Sequence, residues 1–207
     1  MKIEDLAKRT SPAGLFRTGQ ILSGEGSPAS VRRQLDRWTK TGRIIQLRRG
    51  VYVLQKPYAA SGIHPFAAAN ALRKASYVSL QSALAHYGMI PEFVPVTTSM
   101  TTGRPEVLET PIGRFEFRHT KRSRFFGFVE MEVAHDQTAL IATPQKALVD
   151  LLYLAPHSDQ ADFLRELRIE RPDGFDIGVL RSSADRLDSE KVARAVTRLM
   201  QLWEEEE

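Results

Sequence analysis

The sequence predicts an α+β protein, and three observations carry that expectation. Apolar residues recur at helical spacing along residues 28–40, 64–88 and 143–154, and again toward the C-terminus. Between them, β-branched and aromatic residues gather in short runs: RIIQLRRGVYVL, then VPVTTSMTT, RFEFRH, FFGFVEMEV and TALIA. The charge is split along the chain. Residues 1–58 hold 12 Lys and Arg against 4 Asp and Glu, net +8, whereas residues 59–207 hold 17 against 21, net −4. That asymmetry predicts two domains, 1–58 and 64–207, with the positive potential confined to the first.

Taken in order, Ile3, Leu6 and Ala7 predict a short amphipathic helix, and Leu15, Phe16, Ile21 and Leu22 predict a second within residues 12–22. The segment SGEG at 23–26 reads as a flexible loop. Ser27 before Pro28 then starts a third helix: the hydroxyl can accept an orphan backbone N–H, and proline at the first position loses only a donor that had no partner. Val31, Leu35 and Trp38 form its apolar stripe, while Ser30, Arg33, Arg37 and Lys40 project from the other side. Gly42 ends the helix. The apolar runs on either side of Arg48-Arg49-Gly50 predict a hairpin with two arginines at its turn.

A basic outer helix face is common on solvated helices. Joined to a short turn and an arginine-tipped hairpin, it instead predicts a winged helix-turn-helix, with double-stranded DNA as the partner. In that arrangement Ser30, Arg33 and Arg37 reach base edges, and Ser27, Arg32, Lys40, Arg48 and Arg49 meet phosphates. Pro57 closes the wing, and YAASGIH links it to the second domain.

From His64 the pattern is helical, with Pro65 at the first position. Tyr77 and Val78 predict a brief strand, Ser79 the cap of a helix carrying Leu80, Ala83, Leu84 and Tyr87, and Gly88 its end. After Pro91 about four strands predict a small mixed sheet. Thr143-Pro144 opens a helix with Ala147, Leu148, Leu151 and Leu152 on a broad apolar face. Two more helices are expected, near residues 162–168 and 189–203, and the terminal run of glutamates is expected to fray.

LRRGVYVL, SYVSLQSALAHYGMIP and IATPQKALVDLLYL occur in the order found in the AbiEi-like antitoxins and transcriptional regulators of abortive-infection toxin–antitoxin systems, which this chain resembles over nearly its whole length. The resemblance implies an N-terminal winged helix, a C-terminal α/β antitoxin domain, and a repressor that binds repeats in its own promoter. It also implies opposition to a neighbouring nucleotidyltransferase-like toxin, a stable complex not being required. Tyr77, Ser79, Ser82, His86 and Lys146 are the polar groups within the two C-terminal resembling motifs, and so the candidates for the antitoxin role. The chain departs from the family's Pro-Glu-Lys-Ala at Gln145, where a capping role at the helix start is expected.

Other chemistries find less support. With no cysteine, disulfides, thiolate metal sites and a thiol nucleophile are excluded. No apolar run is long enough for a signal peptide or a membrane span, so a cytoplasmic protein is expected. A metal-dependent nuclease is the first alternative, resting on Glu116, Glu130, Glu132, Asp136 and Lys146, but alternating glutamates more often mark the wet face of a strand. His64, His86, His119, His135 and His157 lack zinc spacing. Ser79 and Ser82 lack a nucleophile elbow, and Gly103 and Gly113 lack a phosphate-loop pattern. A protein-interaction module without DNA binding is the second alternative. No enzyme activity, cofactor or metal is expected.

Overall fold

The computed structural model describes residues 2–10, 13–22 and 27–205. The expected loop at 23–26, the start of the second helix at Pro12 and the last two glutamates lie outside the described residues. The first part runs α1 (Ile3–Ala7), β1 (Leu15–Arg17), α2 (Thr18–Leu22), α3 (Pro28–Lys40), β2 (Ile44–Arg48) and β3 (Val51–Leu54). Its three strands make an antiparallel sheet in the order β1-β3-β2. Helices α1 and α3 cover one face, where Ile3, Leu6, Leu35 and Trp38 meet Phe16, Ile44, Tyr52 and Leu54 in one apolar cluster.

Residues 15–17 correct the sequence expectation: they are a strand, and α2 begins only at Thr18. Gly14 explains the change. Its φ of +69° suits glycine, and a Cβ there would stand 2.7 Å from the Cβ of Leu54, so the chain passes too close to β3 for any other residue. Leu54 N donates to Gly14 O at 2.9 Å, which locks the approach.

The second part continues with α4 (Pro65–Leu72), β4 (Ser76–Val78), α5 (Leu80–His86), β5 (Val96–Thr101), β6 (Glu106–Thr110), β7 (Gly113–His119), β8 (Phe128–Ala134), β9 (Gln137–Ala142), α6 (Pro144–Leu154), α7 (Ala161–Leu167), α8 (Ile177–Leu187) and α9 (Glu190–Glu205). Its sheet is mixed, in the order β6-β7-β5-β4-β9-β8, with β4–β9 and β5–β7 parallel and the other neighbours antiparallel. The α+β expectation with a mixed sheet packed by helices therefore holds, with more strands than anticipated. Helix α6 sits at the centre: Gln145 to Leu152 are all buried, so it is enclosed on every side, its polar Gln145, Lys146 and Asp150 included.

Strand β6 and helix α8 were not expected. As an edge strand bonded to β7 alone within its sheet, β6 alternates half-exposed and exposed residues and carries glutamates where an inner strand would be apolar. Helix α8 does show its period, with Leu180, Ala184 and Leu187 buried and Asp176 capping Val179 N at 3.0 Å, but serines and acids between them mask it. Strand β8 begins at Phe128, leaving Phe125 to Gly127 as a loop.

Strand β3 is buried at every position because it serves two cores in alternation. Tyr52 and Leu54 point into the N-terminal cluster, while Val51 and Val53, with Leu47 of β2, join the large core of residues 64–203. The small sheet is thus sandwiched between its own helices and the second part. A fragment ending at residue 58 is expected to expose Leu47, Val51 and Val53, to bind an apolar dye and to melt well below the whole chain; an equally cooperative, equally stable fragment would show that the contact contributes nothing.

Candidate nucleic-acid interface

The exposed side of α3 is built by its own amphipathicity. Leu35 and Trp38 are only 3% and 2% exposed and fix the helix rotation, which leaves Arg32, Arg33, Asp36, Arg37 and Lys40 in solvent. Ser27 accepts Ser30 N at 3.2 Å, and the Ser30 hydroxyl donates back to Ser27 O at 2.8 Å, so both expected contact hydroxyls have local capping partners. Arg37 donates to Gln34 Oε1 at 2.8 Å, and Lys40 pairs with Asp36 at 2.8 Å, both at the surface where such links are easily exchanged. Among the described residues, Arg32, Arg33 and Arg49 have no acidic partner.

The hairpin turn is less free than its sequence implies. Arg49 is exposed, but Arg48 leans across to the second part, where its Nη1 donates to Leu72 O at 3.1 Å and meets Glu106 Oε2 at 3.4 Å. Arg17 likewise donates to Ala71 O. These two guanidiniums satisfy carbonyls that the end of α4 leaves without helical partners. Arg73 Nη2 reaches the same Glu106 oxygen at 2.7 Å, and its guanidinium lies 5.7 Å from the Phe117 ring centroid. A cleft of about 560 Å³ opens here, lined by Arg17, Arg48, Arg49, Arg73 and Lys74.

The polar candidates of the second part fall into three places. Tyr77, Ser79 and Lys146 come together around Asp150, a residue the sequence reading passed over. Tyr77 Oη donates to Asp150 Oδ2 at 2.9 Å, Ser79 Oγ donates to the same oxygen at 2.8 Å, and Lys146 Nζ pairs with Oδ1. Lysine and aspartate sit one helical turn apart on α6, with side-chain exposures of 0% and 1%. Burial pushes the Lys146 ammonium below its ordinary value and the Asp150 carboxyl above its own, and the ion pair opposes both shifts. The Tyr77 phenol is raised well above its usual range, first by burial and then by the Asp150 charge, so it remains a donor.

Lys146 also lies 4.6 Å from the Phe126 ring centroid, inside a wall formed by the loop before β8. Gly127 belongs to that wall: with φ +70°, a Cβ there would press on the lysine stem at 3.1 Å. Ser79 was expected to cap α5 but makes no side-chain cap bond, because its hydroxyl serves Asp150. Ser82 lies elsewhere, donating to Val96 O at 2.9 Å and accepting Thr98 N at 2.8 Å, which ties α5 to β5. His86, at the end of α5, is exposed between the rings of Phe66 and Tyr87. Gln145 caps nothing on its own helix and donates to Asp176 O at 3.4 Å.

Among the described residues no group of three or more His, Cys, Asp or Glu could hold a metal ion. No helix among them is long and apolar enough to cross a membrane.

No curated protein matches the chain. Among solved structures, the crystal structure of the RV2827C protein from Mycobacterium tuberculosis is similar at 17% identity and a TM-score of 0.47, over 96% of this chain and 79% of that one. Of the three stretches that carry the sequence resemblance, LRRGVYVL lies within the family match and the other two lie beyond it. Residues 1–55 match the family model described as "Transcriptional regulator, AbiEi antitoxin", so the likeness to that family rests on the N-terminal part of the chain.

Proposed function

We propose that the chain is a DNA-binding autorepressor that also opposes a nucleotidyltransferase-like toxin. One observation carries the DNA half: α3 turns Arg32, Arg33, Arg37 and Lys40 outward, and the β2–β3 turn exposes Arg49, within the stretch that matches a family of transcriptional regulators. We read residues 1–58 as a winged helix-turn-helix in which α3 enters the major groove of promoter repeats and the β2–β3 turn touches backbone. Arg33 and Arg37, with Ser30, face bases; Arg32, Lys40 and Arg49, with Ser27, face phosphates. Residues 64–207 carry the antitoxin role.

The protein acts on this reading without catalysis or metal, in the cytoplasm. The Lys146–Asp150 pair is sealed from solvent, and Tyr77, Ser79, Ser82 and Lys146 hold the second part in shape, leaving His86 as the exposed member of that set. A protein-interaction role for the second part also has an observation in its favour. Phe93, 90% exposed, stands beside a groove lined by Ile90, Val94, Phe163 and Leu167.

The test separates the two kinds of DNA contact. On a duplex from upstream of its own gene, Arg37→Ala is expected to lose about 1–3 kcal/mol and to tolerate a base change that the parent protein rejects. Arg49→Ala is expected to weaken specific and random duplexes alike and to reduce the slope of log affinity against log salt by about 1. Equal losses on both duplexes for both variants would sink the assignment, and salt-independent binding would favour an apolar interface instead.

A further inference from the structure

The geometry at the junction points to Glu106 as a built-in competitor for the DNA backbone. We propose that its carboxylate occupies the place between Arg48 and Arg73 that a phosphate would otherwise take, and so lowers the affinity of the whole protein for DNA. Glu106 lies at the start of β6, in the part of the chain whose net charge is negative, yet its carboxylate meets Arg48 and Arg73, two of the five cations that line one cleft with Arg17, Arg49 and Lys74. A single oxygen, Oε2, accepts from both Arg73 Nη2 at 2.7 Å and Arg48 Nη1 at 3.4 Å. An oxyanion held between two guanidiniums is how arginine pairs take a phosphate.

The site is neither dry nor rigidly closed. Glu106, Arg48 and Arg73 keep side-chain exposures of 28%, 34% and 24%, so solvent and a ligand oxygen both reach them. The fit is also incomplete: Arg73 Nε is buried with no hydrogen-bond partner, a donor that the carboxylate leaves unanswered. Arg48 is thereby separated from its neighbour Arg49. The two share one turn, but Arg49 is exposed with no acidic partner among the described residues, whereas Arg48 answers Glu106 and the end of α4. The turn offers one free cation and one withheld.

The inference rests on the DNA-binding reading above. Full-length protein is titrated against a 30-base-pair duplex from upstream of its gene, and against a random duplex of the same length, over a range of salt. Glu106→Gln keeps size and hydrogen bonding but removes the charge. It is expected to bind both duplexes roughly three- to tenfold tighter at low salt, with a slope steeper by about 1–2, because Arg48 and Arg73 become available to release counterions. Glu106→Asp, which keeps the charge, is expected to stay near the parent protein. Arg48→Ala is expected to lose less than twofold in the parent background and to cancel most of the gain in the Glu106→Gln background.

A purely structural Glu106 gives a different pattern: lower melting temperature, unchanged salt slope, and affinity equal to or below that of the parent. That pattern overturns the inference. So does a tenfold loss for Arg48→Ala alone, a result that can be read whether or not the Glu106→Gln protein folds. Absence of DNA binding by the parent protein would instead overturn the functional reading on which the inference rests.

Discussion

Asp150→Ala is expected to destabilise the protein by about 3–5 kcal/mol, because it strips the counter-charge from a lysine that has no route to water. Lys146 is fully buried on the central helix, and its ammonium is already held below its ordinary pKa by that burial. Removing the carboxylate leaves the amine, the Tyr77 phenol and the Ser79 hydroxyl without their shared acceptor in one dry place. The loss reaches three elements together, since the acceptor joins β4 and the start of α5 to α6. The measurement is chemical denaturation of single and paired variants. Lys146→Met with Asp150→Leu removes both charges, and is expected to recover a large share of the loss because the Coulombic gain of a buried pair barely exceeds its desolvation cost. A Asp150→Ala protein within 1 kcal/mol of the parent would mean that the network is not what holds α6 in place.

That network also marks where the sequence was hard to interpret. Tyr77, Ser79 and Lys146 stood out as polar groups in apolar surroundings, but their common partner did not, because an aspartate in VDLLYL reads as the wet side of an amphipathic helix. The missed signal was the spacing: Lys146 and Asp150 lie at i and i+4 within a helix whose every other side is apolar, so both must be buried and therefore paired. Functional roles assigned from polarity alone would have mistaken an interior fastening for a contact surface.

Helix α3 and the hairpin after it were legible for the opposite reason, since their determinants are local. The Ser27 cap, the Pro28 start, the Leu35 and Trp38 stripe and the close at Gly42 each act within a few residues. Strand β1 was not legible, since LFR has no period of its own and becomes a strand only by lying beside β3, at a distance that Gly14 permits. The second use of β3 was equally hidden. VYVL does announce burial on both faces, but nothing local says that Val51 and Val53 join the large core of the second part rather than a partner chain. The same long-range contact brings Glu106 to Arg48, 58 residues earlier, which no spacing rule could anticipate.

Trp38→Ala is expected to unfold the N-terminal part at a cost of about 3–5 kcal/mol and, on the function proposed above, to abolish DNA binding as a consequence. Trp38 is the largest fully buried side chain of that part, and its cluster is small: α1, α2, α3 and one face of a three-stranded sheet. A cavity there cannot be refilled, because Leu35 and Ile44 are anchored by their own helix and strand. The loss also removes the floor beneath Arg33 and Arg37, whose direction depends on the rotation of α3. Trp203 provides an independent reporter, held in the second part by its Nε1 donating to Ile169 O at 3.0 Å and by the Phe175 ring at 5.8 Å. Its emission should change only modestly when the N-terminal part melts, whereas far-ultraviolet circular dichroism should lose helix. Trp38→Phe, which keeps most of the apolar volume, is expected to retain the fold and much of the DNA affinity. A Trp38→Ala protein with parental stability and no DNA binding would reverse the assignment, making the indole a contact with DNA rather than the support beneath the arginines.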